Sequence, residues 1–195
     1  MPRETAMSES NTNEPVPVRS ASEVARRCLV LYAVVAAGHK TSRPDLVTWL
    51  RREGLWDYAS PEEVSLFKSK SPSREQIIAA TWRAESLMPL LWAIGRSEAM
   101  PPPTALCDLQ LLRSCLPGFM GSTGEFVSEA SLRDEAEIME AHEETYQAHW
   151  AIRDAILNGT PIPDGYNPEV VQERHLALNW LISPDQEWDD VTTDT

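Results

Sequence analysis

Apolar residues recur along this chain every three to four positions, and Ser-Pro, Asn-Pro and Gly signals break the pattern at intervals. The densest run, CLVLYAVVAA over residues 28–37, reads as a buried helix. It mimics a signal core but starts behind a polar leader, and it falls well short of the ~20 residues that span a bilayer. Ser42 and Pro44 open a second helix, which Gly54 closes. Ser60, Pro61 and Glu63 form an N-cap, a first-turn proline and a capping box, and Ser73 with Gln76 repeats the box. The helix that follows runs to Gly95, with Pro89 as an expected kink. MPPPTALCD then reads as a stiff turn, and PGFMGSTGEF, residues 117–126, as a flexible glycine-rich loop.

The next helix is expected from about Ser128 to Asn158, with Gly159 as its C-cap. Asn167 and Pro168 open the last helix, and Ser183-Pro184 end it. No strand alternation and no internal repeat stand out. The pattern predicts an all-α chain: a disordered tail over 1–20, then a single compact domain of about six or seven helices over 21–195.

Charge changes this picture in one place. The chain carries a formal net charge of −13. Residues 1–124 hold 14 basic and 13 acidic side chains, whereas residues 125–195 hold 3 basic and 17 acidic. This balance argues against nucleic acid and against anionic membranes, because both are bound through Lys and Arg. It favours a basic protein partner, with Glu137, Glu140, Glu143 and Glu144 facing it. The plainer reading of the same residues is a solvated face. Cys28, Cys107 and Cys115 are odd in number and widely spaced, which fits reduced thiols in a cytoplasmic protein better than a disulfide framework or a zinc site.

The motifs LRREGLW, SPEE, ATWRAESLMPLLWAIG, CD, HWAIRDAILNG, ERHLALNWL and WDDVTTDT together resemble a bacterial family known as domain of unknown function 4272. The resemblance runs from roughly Ala21 to the C-terminus and leaves the leader outside. It implies a mostly helical protein without an assigned activity. It also implies that His149, Trp150, Arg153, Asp154, Asn158, Glu173, Arg174, His175, Asn179, Trp180 and the WDD…TDT ending match motifs kept by the family's members.

The candidate chemistry lies in those last motifs. His149 and Arg153 share a helix face, and so do His175 and Asn179. His149, Arg153, Asp154, Glu173, Arg174, His175, Asn179, Asp189, Asp190 and Asp194 are expected to form one polar cluster. A histidine on an apolar stripe is usually a core residue with hydrogen-bond partners. The functional alternative is an acid–base site of a small-molecule hydrolase between the last two helices, with the loop at 118–124 as a lid.

No nucleophile elbow, P-loop or dinucleotide fingerprint supports the alternative. HEETY is a near miss of a zinc-peptidase motif, with Tyr146 in place of the second His. Asp189, Asp190, Asp194 and the terminal carboxylate leave a weak Mg²⁺ site open; no metal or other cofactor is otherwise expected. Trp188 is expected to pin the tail and hold Asp189 and Asp190 near Arg153 or Arg174.

Overall fold

Side chains that satisfy orphan backbone amides start most of the longer helices. Ser20 with Glu23, Ser60 with Glu63, and Ser73 with Gln76 form three capping boxes. Asn167 accepts from the amides of Glu169 and Val170. A computed structural model describes residues 18–194. These described residues form eight α-helices and no strand. The helices are α1 (Ala21–Gly38), α2 (Arg43–Arg52), α3 (Pro61–Lys68), α4 (Arg74–Ala93), α5 (Leu109–Ser114), α6 (Gly124–Ser128), α7 (Glu135–Asn158) and α8 (Pro168–Ile182). No helix among them is long and apolar enough to cross a membrane.

The central helix is α1, buried on every side from Arg27 to Gly38. It packs on α4, α4 packs on α8, and α8 packs on α7. A Cβ on Gly38 would lie 2.9 Å from Thr81 on α4, so glycine permits this close approach. Fully buried side chains such as Trp49, Leu29, Met88 and Leu91 fill the core, each stabilising the fold by about 1.5–3 kcal/mol relative to exposure.

The outermost helix, α7, has a different character. It buries one stripe, Ile138, Ala141, Ala148, His149, Ile152 and Ala155. Its other face is left to water.

Three stretches differ from the sequence-based expectation. The helix expected from Ser128 is two elements: α6 ends at Ser128, and α7 starts at Glu135 behind Asp134, whose carboxylate accepts from Ala136 N. Between them, Arg133 binds the end of α4. Its amide donates to Ala93 O, and its guanidinium donates to the carbonyls of Trp92, Ser97 and Glu98. This places a cation at the negative end of the α4 dipole.

The glycine loop is tied down at its far end. Trp49 Nε1 donates to Gly121 O at 2.9 Å, Arg52 donates to Met120 O at 2.7 Å, and Glu53 accepts from the Thr123 amide and hydroxyl. The expected tail lies outside the described residues up to residue 17. Its last part is packed: the Arg19 amide donates to Leu181 O, its Nε donates to Trp180 O, and its guanidinium sits 4.2 Å from the Trp180 ring.

Candidate functional site: the acidic helix and its groove

Successive residues of a helix point about 100° apart, and at Glu173, Arg174 and His175 this sends three polar side chains to three neighbours. Glu173 turns to α4, where Arg83 donates to it at 3.0 Å and Ser86 Oγ at 2.5 Å. Arg174 turns inward. It pairs with Glu85 at 3.2 Å, the two side chains 4% and 2% exposed, and donates to Pro101 O at 2.5 Å. Glu85 also accepts from the amide of Cys107 at 2.6 Å.

His175 turns to α7, where its Nδ1 lies 2.9 Å from His149 Nδ1. Such a contact needs one ring protonated at Nδ1 and the other at Nε2. Tyr146 packs edge-on against His175 at 5.7 Å. Burial, then the His149 and His142 rings, push the His175 imidazole down to about 4. Burial and the Arg153 charge lower His149 as well. The pair is therefore neutral at physiological pH.

Of the other expected cluster members, Asn179 lies within hydrogen-bonding reach of the His175 ring and Arg153 acts on His149, whereas the rest turn elsewhere. Asn179 donates to Thr192 O at 2.8 Å and meets His142 Nε2 at 2.7 Å. Asp154 is exposed and bonds within its own helix to Asn158. Trp188 is buried, with its ring edge-on to Trp180 at 5.6 Å and the Arg27 guanidinium 4.6 Å from it.

That seating carries Asp189 to α3, where it accepts from the Glu62 amide at 2.9 Å. It is thus engaged at a helix N-terminus, not with Arg153 or Arg174, and Asp190 is exposed. Only Asp194 comes back toward α7: with His149, Arg153 and Thr193 it lines a cavity of about 300 Å³. The expected single cluster is therefore several separate networks. Among the described residues no group of three or more His, Cys, Asp or Glu is placed to hold a metal ion; the terminal carboxylate lies outside them. Nor does the glycine loop line the α7–α8 cavity.

The partners that sequence reasoning missed are cross-helix ones. Glu85 lies in an apolar stretch of α4, and Glu63 is shared between the α3 capping box and buried Arg27. A lone Glu amid Leu, Met and Trp was the available signal, because a buried carboxylate needs a cationic partner.

On the outer face of α7, Glu137, Glu140, Glu143 and Glu144 are all exposed. Glu137 is partly neutralised by Arg133 at 3.3 Å, and Glu143 accepts from Gln147 at 2.7 Å. Glu140 and Glu144 form no ion pair with other described residues. Beside this face runs a groove of about 810 Å³. One wall is α7, with Glu143, Glu144 and Trp150, whose indole is half exposed. The other is Met100–Pro103 with Tyr166. Two hydrogen bonds fix that wall: Arg174 to Pro101 O, and the Asn167 amide to Pro103 O at 2.9 Å. A basic side chain laid here would place its methylenes on proline and its charge by a carboxylate or the Trp150 ring.

The family model described as "Domain of unknown function (DUF4272)" matches residues 4–191. The match begins well before Ala21, so most of the leader lies within the family region. It stops before Thr192, so the TDT part of the ending lies beyond it. No curated protein and no solved structure matches the chain.

Proposed function

We propose that this chain, which belongs to the DUF4272 family, is a non-enzymatic binding module whose α7 groove receives a basic segment of a partner protein. One observation carries the reading: the groove joins an apolar, hydrogen-bonded proline wall to a helix face presenting Glu140, Glu143, Glu144 and the half-exposed Trp150. Hydrophobic contact on one side and carboxylates on the other suit a Lys- or Arg-containing segment, with charge steering the encounter. An immunity-like protein that neutralises a cationic toxin is one form of this function. Three free cysteines support a reducing, cytoplasmic setting.

The test is a displayed library of random peptides, panned on the wild type and on Glu143→Lys/Glu144→Lys at low and high salt. Enrichment of basic peptides on the wild type, lost at high salt and on the variant, is the expected result. Recovery of the same peptides by the variant refutes the reading.

A second reading rests on the smaller α7–α8 cavity, where His149, Arg153 and Asp194 share a wall. It would make the protein a hydrolase-type enzyme with His149 as acid–base. No turnover of a panel of carboxylic and phosphate esters by the wild type would end this reading. So would equal turnover by His149→Ala.

A further inference from the structure

Away from α7, a cavity of about 530 Å³ opens between the C-terminal half of α1, α5 and residues 117–119. Its size falls within the ordinary range for small-ligand pockets, roughly 300–1,000 Å³. In a chain with a net charge of −13, no Asp or Glu among the described residues lines it, whereas Arg113 and His39 do. Arg113 is exposed, and its guanidinium makes no hydrogen bond or ion pair with other described residues. By contrast, Arg27, Arg83 and Arg174 each hold a carboxylate.

The second observation concerns Tyr32. Its side chain lines the cavity and is 8% exposed, with Phe119 edge-on at 5.2 Å. Its hydroxyl has no hydrogen-bond partner among the described residues. The hydroxyl is not sealed from solvent, so it can donate to a group in the cavity that its side chain lines. Burial raises its pKa against the opposing pull of Arg113, so the hydroxyl stays protonated and able to donate. Tyr32 and Arg113 line the same cavity, so both can face one head group. The remaining lining is mixed: Thr41 and His39 are polar, while Leu87 and Leu112 are buried and Leu116 and Phe119 lie nearer the mouth.

We propose that this cavity binds a small amphipathic carboxylate, its apolar body against Leu87, Leu112 and Phe119 and its carboxylate between Arg113 and the Tyr32 hydroxyl. The planar guanidinium matches a carboxylate in bidentate geometry. The site is separate from the α7 groove and does not depend on it.

The probe is decanoate, titrated by calorimetry below its micelle concentration, with decanol as the uncharged comparison. The expected result is saturable one-site binding of decanoate by the wild type. Arg113→Gln should weaken it about tenfold or more, and Tyr32→Phe several-fold, as loss of a charge-assisted and a neutral hydrogen bond implies. Arg113→Gln should leave decanol binding unchanged. Arg113 is exposed, so this variant keeps the fold, which circular dichroism checks. No decanoate binding by the wild type, or equal binding by Arg113→Gln, would overturn the proposal.

Discussion

Replacing Glu85 by Gln removes one negative charge from the middle of the helix stack and leaves Arg174 without its counter-ion. Both side chains are nearly sealed, at 2% and 4% exposed, and Arg174 Nε has no hydrogen-bond partner even in the intact protein. After the substitution, Arg174 keeps only the carbonyl of Pro101 as a strong acceptor. Breaking a buried pair by removing one partner costs about 3–5 kcal/mol. The introduced side-chain amide can still accept from the Cys107 backbone N–H, which places the effect near the lower end, ~3 kcal/mol.

In urea this is a midpoint shift of about 1–2 M, large against total stabilities of roughly 5–15 kcal/mol. Replacing both partners by Met should recover most of the loss, because no charge is stranded. A single-variant loss below about 1 kcal/mol would refute the reasoning, as would a double variant as unstable as the two singles added. The pair also holds Pro101, so Glu85→Gln should loosen the groove wall and weaken peptide binding.

The His149–His175 pair makes stability pH-dependent. With a folded value near 4 against about 6.5 unfolded, His175 binds fewer protons in the native state. Its contribution is complete above about pH 6.5 and is lost as pH falls toward 4, on the order of 3 kcal/mol. Chemical denaturation at several pH values should show a flatter profile for His149→Gln/His175→Gln; an unchanged slope would remove the pair, flanked by His142, Tyr146 and Arg153, as its cause. Trp188→Ala should cost about 3–5 kcal/mol in urea, since the ring is buried against Trp180 and Arg27. Asp189→Ala, which removes only an acceptor for the Glu62 amide, should cost about 1 kcal/mol. Native protein should react with a thiol reagent at the partly exposed Cys115 alone, because Cys28 is sealed and burial pushes the Cys107 thiol up to about 12. Three equivalents reacting before unfolding would contradict that packing.

The helices were legible from sequence where their signals are local. Ser60, Ser73 and Asn167 cap the turns beside them, so their positions follow from spacing alone. The start of α7 was not, because Arg133 is held by the end of α4, a contact 41 residues away in sequence. Spacing also put His175 on an apolar stripe, and there its ring meets His149, which spacing placed only on a face with Arg153. It could not show what faces Glu173 and Arg174, whose partners on α4 are 90 and 89 residues distant. Asp189 went to α3 because Trp188 seats against Arg27 and Trp180, which no pattern within the last residues encodes. The acidic face was readable as charge, but its groove exists only because Met100–Pro103 folds back beside α7.

The most direct measurement is an NMR chemical-shift map of the protein titrated with the most enriched basic peptide from the panning experiment. The groove reading requires a footprint on Glu140–Ala151 and Met100–Pro103, shrinking as salt rises. A footprint on the acidic residues 185–190 instead, with α7 unmoved, would contradict it.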